Sequence, residues 1–272
     1  MKKISRRSFL AAAAVSVAAL AMTACGGSAS SAASSVASSA ASSEAASSAA
    51  AELTTVETGK LTMATNATFP PYEMTTDSGE LEGIDVDTAK AIAEKLGLEL
   101  QIDDMDFDAA LLSVQQGKAD IVMAGVTVTD ERKAVMDFSD SYATGIQSII
   151  VPNDSDIASP DDLAGKKIGT QRGTTGYIYC SDDFGDDAVV AYDNGLTAVQ
   201  ALNNGQVDAV VIDNAPAKEY VAANPGLAIL DTSYAEEDYA IGMAKGSSLE
   251  AAVNAALEEL KADGTLQAIV DK

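Results

Sequence analysis

The chain has 272 residues, with 17 Lys and Arg against 41 Asp and Glu and no His, for a formal charge of −24. A field of that sign repels nucleic acid and anionic lipid headgroups. With no His and only two Cys, Cys25 and Cys180, most proton-shuttling, thiolate-metal and zinc chemistries are removed, so no metal and no cofactor is expected.

Lys2, Lys3, Arg6 and Arg7 form a basic start to an apolar run over 9–22, which is an export signal and not structure. The run is shorter than the roughly 20 residues a membrane-spanning helix needs. It ends in Met22-Thr23-Ala24-Cys25, which resembles a bacterial lipoprotein lipobox with Cys25 as the lipidated residue. Ser5-Arg6-Arg7-Ser8-Phe9-Leu10 also resembles the twin-arginine motif, so either export route stays open. Residues 1–24 are therefore read as a signal peptide, and losing their four cations takes the formal charge from −24 to −28. Residues 25–59 follow as the lipidated Cys and a tether rich in Ser and Ala, too poor in large apolar groups to offset the entropy of ordering. As flexible coil the Ser/Ala stretch would separate its ends by about 25–30 Å, unless its Ala supports transient helix.

From Lys60 onward, short β-rich apolar runs alternate with helical patterns, which predicts parallel sheets with crossover helices. A strand is expected over 61–64, broken by the Phe69-Pro70-Pro71-Tyr72 loop. Asp85 and Asp87 suit a helix start, Val86, Ala89, Ile92, Ala93 and Leu96 share one face, and Gly97 supplies the stop. A strand over 98–102 precedes a helix capped by Asp108 and ended by Gly117, then a buried strand over 121–124. Further strands are expected over 147–151, 167–170, 188–191, 207–212, 228–230 and 239–243, with helices over 196–202 and 248–261. The stretch 114–122 echoes 201–210, in each case helix, Gly, two residues, Asp and an apolar strand. Two similar lobes would give that echo, and so would two ordinary helix-to-strand turns.

Four segments can carry chemistry. In 124–132 a strand ends at Ala124-Gly125-Val126-Thr127, and Thr129 with Glu131 opens a helix, so free backbone N–H groups and the Thr127 hydroxyl would face the crevice beyond the strand ends. Arg132 lies within reach of that crevice and suits a carboxylate held by two parallel hydrogen bonds; a surface Arg pairing with Asp130 or Glu131 is the plain alternative. Gln171-Arg172-Gly173-Thr174-Thr175-Gly176 offers glycines for close approach and two Thr at a helix start for an anion. Asp213 follows the strand Val210-Val211-Ile212, where it can accept from an ammonium group or simply cap the next helix. Phe69, Tyr72 and Phe107 can wall a pocket or fill the core.

Taken together, Ala64-Thr65-Asn66-Ala67-Thr68-Phe69-Pro70-Pro71-Tyr72-Glu73, Gly83-Ile84-Asp85-Val86-Asp87, 125–132 with Phe138-Ser139-Asp140-Ser141-Tyr142, 171–175 and Val207-Asp208-Ala209-Val210-Val211-Ile212-Asp213 resemble the extracellular solute-binding proteins of family 3, the polar amino acid receptors of ABC importers. The resemblance implies an α/β type II periplasmic-binding-protein fold, two Rossmann-like lobes joined by a two-strand hinge, with 60–144 plus 240–272 as lobe 1 and 145–239 as lobe 2. It implies that Arg132 clamps a ligand α-carboxylate with help from Thr127, Gly125 and Thr175, that Asp213 takes the α-ammonium, and that Phe69 and Phe107 pack on the ligand side chain. Asn66, Tyr72, Asp85, Ala124, Gln171 and Thr174 complete the expected ligand-binding set. The implied partners are an amino acid and the permease subunits of an ABC transporter. The expected form is a monomer, lipid-anchored at the cell membrane on its extracytoplasmic side and without nucleic acid.

Asn66 stands where many members carry Asp, which removes an acidic partner for a cationic side chain and leans the reading toward an uncharged, glutamine- or cystine-like ligand. A binding protein and not an enzyme is expected. The rival is a cyclic-acid dehydratase on the same fold, with Glu73, Asp85 or Asp213 as acid or base.

Overall fold

The computed structural model describes residues 53–272, so the leader, Cys25 and the Ser/Ala segment up to residue 52 lie outside the described residues. Folded structure begins earlier than the expected end of the tether at 59. Leu53 packs against the hydrophobic core, and the Val56 N–H donates to Asp120 Oδ1 at 2.7 Å.

The first sheet has five strands in the order Glu99–Asp104, Lys60–Thr65, Ile121–Val122, Gly242–Ala244 and Met136–Phe138. The first three run parallel, whereas Gly242–Ala244 runs antiparallel to both of its neighbours. Helices Ile84–Leu96 and Glu250–Ala262 pack together. Val86, Ala89, Ile92 and Ala93 on the first, with Val253 and Leu257 on the second, are buried in the same core as Leu61, Met63 and Ile121. Each large side chain so buried contributes about 1.5–3 kcal/mol. Helix Phe107–Gln115 lies against strands Lys60–Thr65 and Gly242–Ala244. Its N-cap position is Asp106 and not the expected Asp108, which sits in the first turn.

The second sheet orders Val189–Tyr192, Ile168–Gln171, Ala209–Asp213, Ala143–Pro152 and Leu227–Ile229, with Ala235–Tyr239 also paired to Ala143–Pro152. Again three strands are parallel and the next is antiparallel. The expectation of parallel sheets is thus corrected to mixed ones: in each lobe the strand that enters or returns from the other lobe runs against the rest. The strand expected over 239–243 is two strands, Ala235–Tyr239 in the second sheet and Gly242–Ala244 in the first, because the chain changes lobes between them. Ala143–Pro152 and Ala235–Tyr239, paired antiparallel from Ala143↔Tyr239 to Gln147↔Ala235, form the two-strand hinge.

The echo between the halves is structural. Gly117 and Gly205 adopt φ of 65° and 66°, which an L side chain resists. In both turns the following N–H folds back on the helix, Lys118 to the Ser113 carbonyl and Gln206 to that of Ala201. Asp120 Oδ2 then accepts from Thr62 N and Asp208 Oδ2 from Lys167 N, both at 2.7 Å, tying each turn to the neighbouring parallel strand of its own sheet.

Candidate functional site

A cleft lies between the lobes, lined from the first by Asn66, Phe69, Glu73, Phe107, Ala124, Gly125, Thr127 and Arg132 and from the second by Gln147, Gln171, Thr174, Thr175, Val211, Ile212 and Asp213. The carboxyl ends of strands Lys60–Thr65, Ile168–Gln171 and Ala209–Asp213 all point here, which is where open α/β sheets place ligands.

Arg132 is positioned by a short helix, Asp130–Val135, whose N-cap Thr129 accepts from Arg132 N. The guanidinium crosses the cleft: Nη1 donates to the Thr127 carbonyl at 2.8 Å and Nη2 to the Gly173 carbonyl at 3.1 Å. Its carbon stands 5.4 Å from the Phe107 ring centroid. Burial lowers its pKa while the charge of Glu237 opposes that effect, and a guanidinium remains cationic regardless. Pairing with Asp130 or Glu131, the plain alternative, does not occur.

Asp213 occupies the N-cap position of helix Asn214–Ala223, yet its side chain makes no capping bond. Its carboxylate faces the cleft instead, accepting from Gln147 Nε2 at 2.7 Å and from the Tyr239 hydroxyl. Burial pushes its pKa up to about 7, against hydrogen bonding from Tyr239. Thr174 caps helix Thr175–Phe184 by accepting from Tyr177 N, which leaves the start of that helix open to the cleft.

Two expected site residues stand one layer behind the wall. Tyr72 stacks on Phe69 with centroids 5.9 Å apart and meets Tyr239 edge-on at 5.2 Å, so it supports the aromatic wall without lining it. Asp85 is fully buried in the first turn of its helix, accepting from Gly125 N at 3.0 Å and from the Tyr142 hydroxyl at 2.7 Å. Burial raises its pKa to about 6. It also occupies the Gly125 N–H that was expected to assist the carboxylate clamp.

Two polar residues at the site, Gln147 and Glu237, were missed by sequence reasoning, and a third, Glu73, was named only as a candidate acid or base of the rival enzyme reading. Gln147, on the entering hinge strand, bridges Asp213 and Glu237 through Nε2. Glu237, on the returning hinge strand, accepts through Oε2 from Thr127 at 3.1 Å, Gln147 at 3.0 Å and Thr175 at 2.9 Å, so it joins both lobes. Glu73 is fully buried, and no N–H or hydroxyl donates to its oxygens; it shares a hydrogen bond only with the carboxyl of Asp85. Burial, then the charge of Asp85, pushes its pKa well above the usual carboxylate range. Among the described residues no group of acids, Cys or His could hold a metal ion.

The family model "Bacterial extracellular solute-binding proteins, family 3" matches residues 61–272. The L-cystine-binding protein TcyJ of Escherichia coli (strain K12) is 34% identical over 220 residues, covering 79% of this chain and 83% of that protein. A probable histidine-binding protein of Neisseria gonorrhoeae is 33% identical over 96% of this chain and 93% of its own length. The solved structure of an ancestral arginine-binding protein bound to arginine superposes with a TM-score of 0.75 at 44% identity, over 78% of this chain and 97% of that one. The chain belongs to the bacterial extracellular solute-binding proteins of family 3.

Proposed function

We propose that this protein is the substrate-binding component of an ABC importer, capturing an amino acid outside the cytoplasm and passing it to permease subunits. The observation that carries the reading is that Arg132 and Asp213 face one cleft from opposite lobes. An amino acid zwitterion has its two charges a few bonds apart, so it satisfies both partners only when the lobes are together. It therefore binds the closed state preferentially and shifts the population toward it. Arg132 takes the α-carboxylate with the donors left after Thr127 and Gly173 are served, helped by N–H groups at the Thr175 helix start. Asp213 takes the α-ammonium, and Phe69 with Phe107 holds the side chain.

The relatives support an amino acid ligand and, in their names, differ among cystine, histidine and arginine. The proposal places the chain on the outer face of the membrane, held by a lipid on Cys25 and free of any enzymatic step. No helix among the described residues is long and apolar enough to cross a membrane.

The test is a thermal-shift screen of the protein against the twenty amino acids, cystine and several cyclic acids, since a ligand selective for the folded state raises the melting temperature. A shift with one or two amino acids and no turnover is expected. Turnover of a cyclic acid, or no response to any amino acid, sinks the reading.

A further inference from the structure

We infer that the cleft selects an amino acid whose side chain carries its own positive charge, arginine- or lysine-like, with Glu73 as the partner of that second cation. The inference rests on the reading of the cleft as an amino acid site and adds the charge class of the ligand.

Strand Glu73–Thr75 pairs with Thr68–Phe69 so that Glu73 stands opposite Phe69, and both line the cleft. Glu73 is 0% exposed, no N–H or hydroxyl of the protein donates to either of its oxygens, and the one side chain that shares a hydrogen bond with it, Asp85, is another acid. A buried carboxyl in that condition is costly to ionise unless a cation reaches it. None comes from the protein: the charged groups acting on it are Asp85, Asp213 and Asp104, all acidic, and the other titratable groups that feel it are the phenols of Tyr72, Tyr142 and Tyr220. The α-carboxylate and α-ammonium of a neutral ligand would answer Arg132 and Asp213 and leave Glu73 as it is.

The hydrogen-bonding capacity of the wall points the same way. The hydroxyls of Thr127 and Thr175 both donate to Glu237, so toward the cleft they present lone pairs, beside the acceptor oxygens of Glu73 and Asp213. A wall rich in acceptors suits a ligand rich in N–H donors, which guanidinium and ammonium groups are. Asn66 bears on the ligand's charge less than its position in the sequence suggests. It donates to the Met105 carbonyl at 2.9 Å and accepts from Gln171 at 2.9 Å and Thr68 at 3.1 Å, so its neutral amide is occupied in holding the lobes together. Because Glu73 holds its proton in the free protein, a cation arriving beside it drives that proton into solution.

Isothermal titration of the purified protein near neutral pH with arginine, lysine, glutamine and cystine tests this, each repeated in buffers of different ionisation enthalpy. Arginine or lysine is expected to bind at least about tenfold more tightly than glutamine, with net proton release. Glu73→Gln is expected to shrink the arginine-to-glutamine affinity ratio by at least about tenfold. Tightest binding of glutamine or cystine, or an unchanged ratio in Glu73→Gln, overturns the inference while the amino acid site stands. No binding of any amino acid overturns the site itself. Should Glu73→Gln fail to fold, the wild-type ranking and proton count decide alone.

Discussion

Arg132 Nη2 donates to the carbonyl oxygen of Gly173 at 3.1 Å, so this half-buried guanidinium of the first lobe is oriented by backbone of the second. With Nη1 fixed on Thr127, three of its five N–H groups remain to meet a carboxylate. Arg132→Ala is expected to weaken ligand binding by at least about tenfold, since it removes both a bidentate charge-assisted contact and a link between lobes. Arg132→Lys should recover little, because an ammonium cannot serve two backbone carbonyls and a carboxylate in one plane. Calorimetry measures both, and wild-type affinity in Arg132→Ala would remove the residue from its assigned role.

Gly173 lies against the first lobe, where its carbonyl meets Arg132. Its φ is +74°, and a Cβ built there would lie 1.7 Å from Asp108 Oδ1. Gly173→Ala is expected to hold the lobes apart unless the exposed Asp108 side chain turns aside, in addition to about 1–2 kcal/mol of local strain from the left-handed backbone. Affinity is expected to fall at least about tenfold, with the radius of gyration in the presence of ligand remaining at its ligand-free value. Adding Asp108→Ala should restore part of the affinity. If the double variant binds no better than Gly173→Ala, local strain and not the lobe contact explains the loss.

Cys25 lies outside the described residues, so its role is tested in the cell. Cys25→Ala is expected to move the protein from the membrane fraction to the soluble extracytoplasmic fraction. A variant that still sediments with membranes would end the lipid-anchor reading.

What the sequence discloses here depends on whether function leaves a local pattern. Helix starts did: Thr129 and Thr174 cap as their positions suggest, and eleven of the thirteen expected ligand-binding residues line one cleft, Tyr72 and Asp85 excepted. The mixed sheets were hidden because an apolar run has the same composition in either direction, and only the changes of lobe near residues 143 and 240 reverse the strands. Glu237 was hidden for another reason. It sits between Glu236 and Asp238 in a run that reads as solvated acid, and its burial comes from pleat alternation opposite Gly145, a long-range pairing. Asp85 reads as an ordinary first-turn acid, and nothing local shows that Gly125 and Tyr142, far along the chain, consume its oxygens.

Proton linkage gives stability and affinity opposite slopes. Burial holds the folded-state pKa of Asp213 at about 7 and that of Asp85 at about 6, against 3.8 for an ordinary Asp. Between roughly pH 4 and 7 the unfolded chain has lost these protons while the folded chain keeps them, so folding takes up protons. Their contribution to stability is complete below about pH 4 and is lost as pH rises through 6 to 7. Ligand binding runs the other way, because an ammonium needs the ionised Asp213, so affinity should fall as pH drops below about 7. Relief of self-repulsion in a chain of charge −24 also stabilises it on acidification, and that effect is shared by any variant of similar charge. Asp213→Asn separates the two. The variant should lose most ligand affinity, and its melting temperature should vary less between pH 5 and 8 than that of the wild type. Thermal melts and titrations across that range are the measurement. A wild type whose stability and affinity rise together with pH, or an Asp213→Asn curve parallel to the wild type, would show that Asp213 is not the linked group.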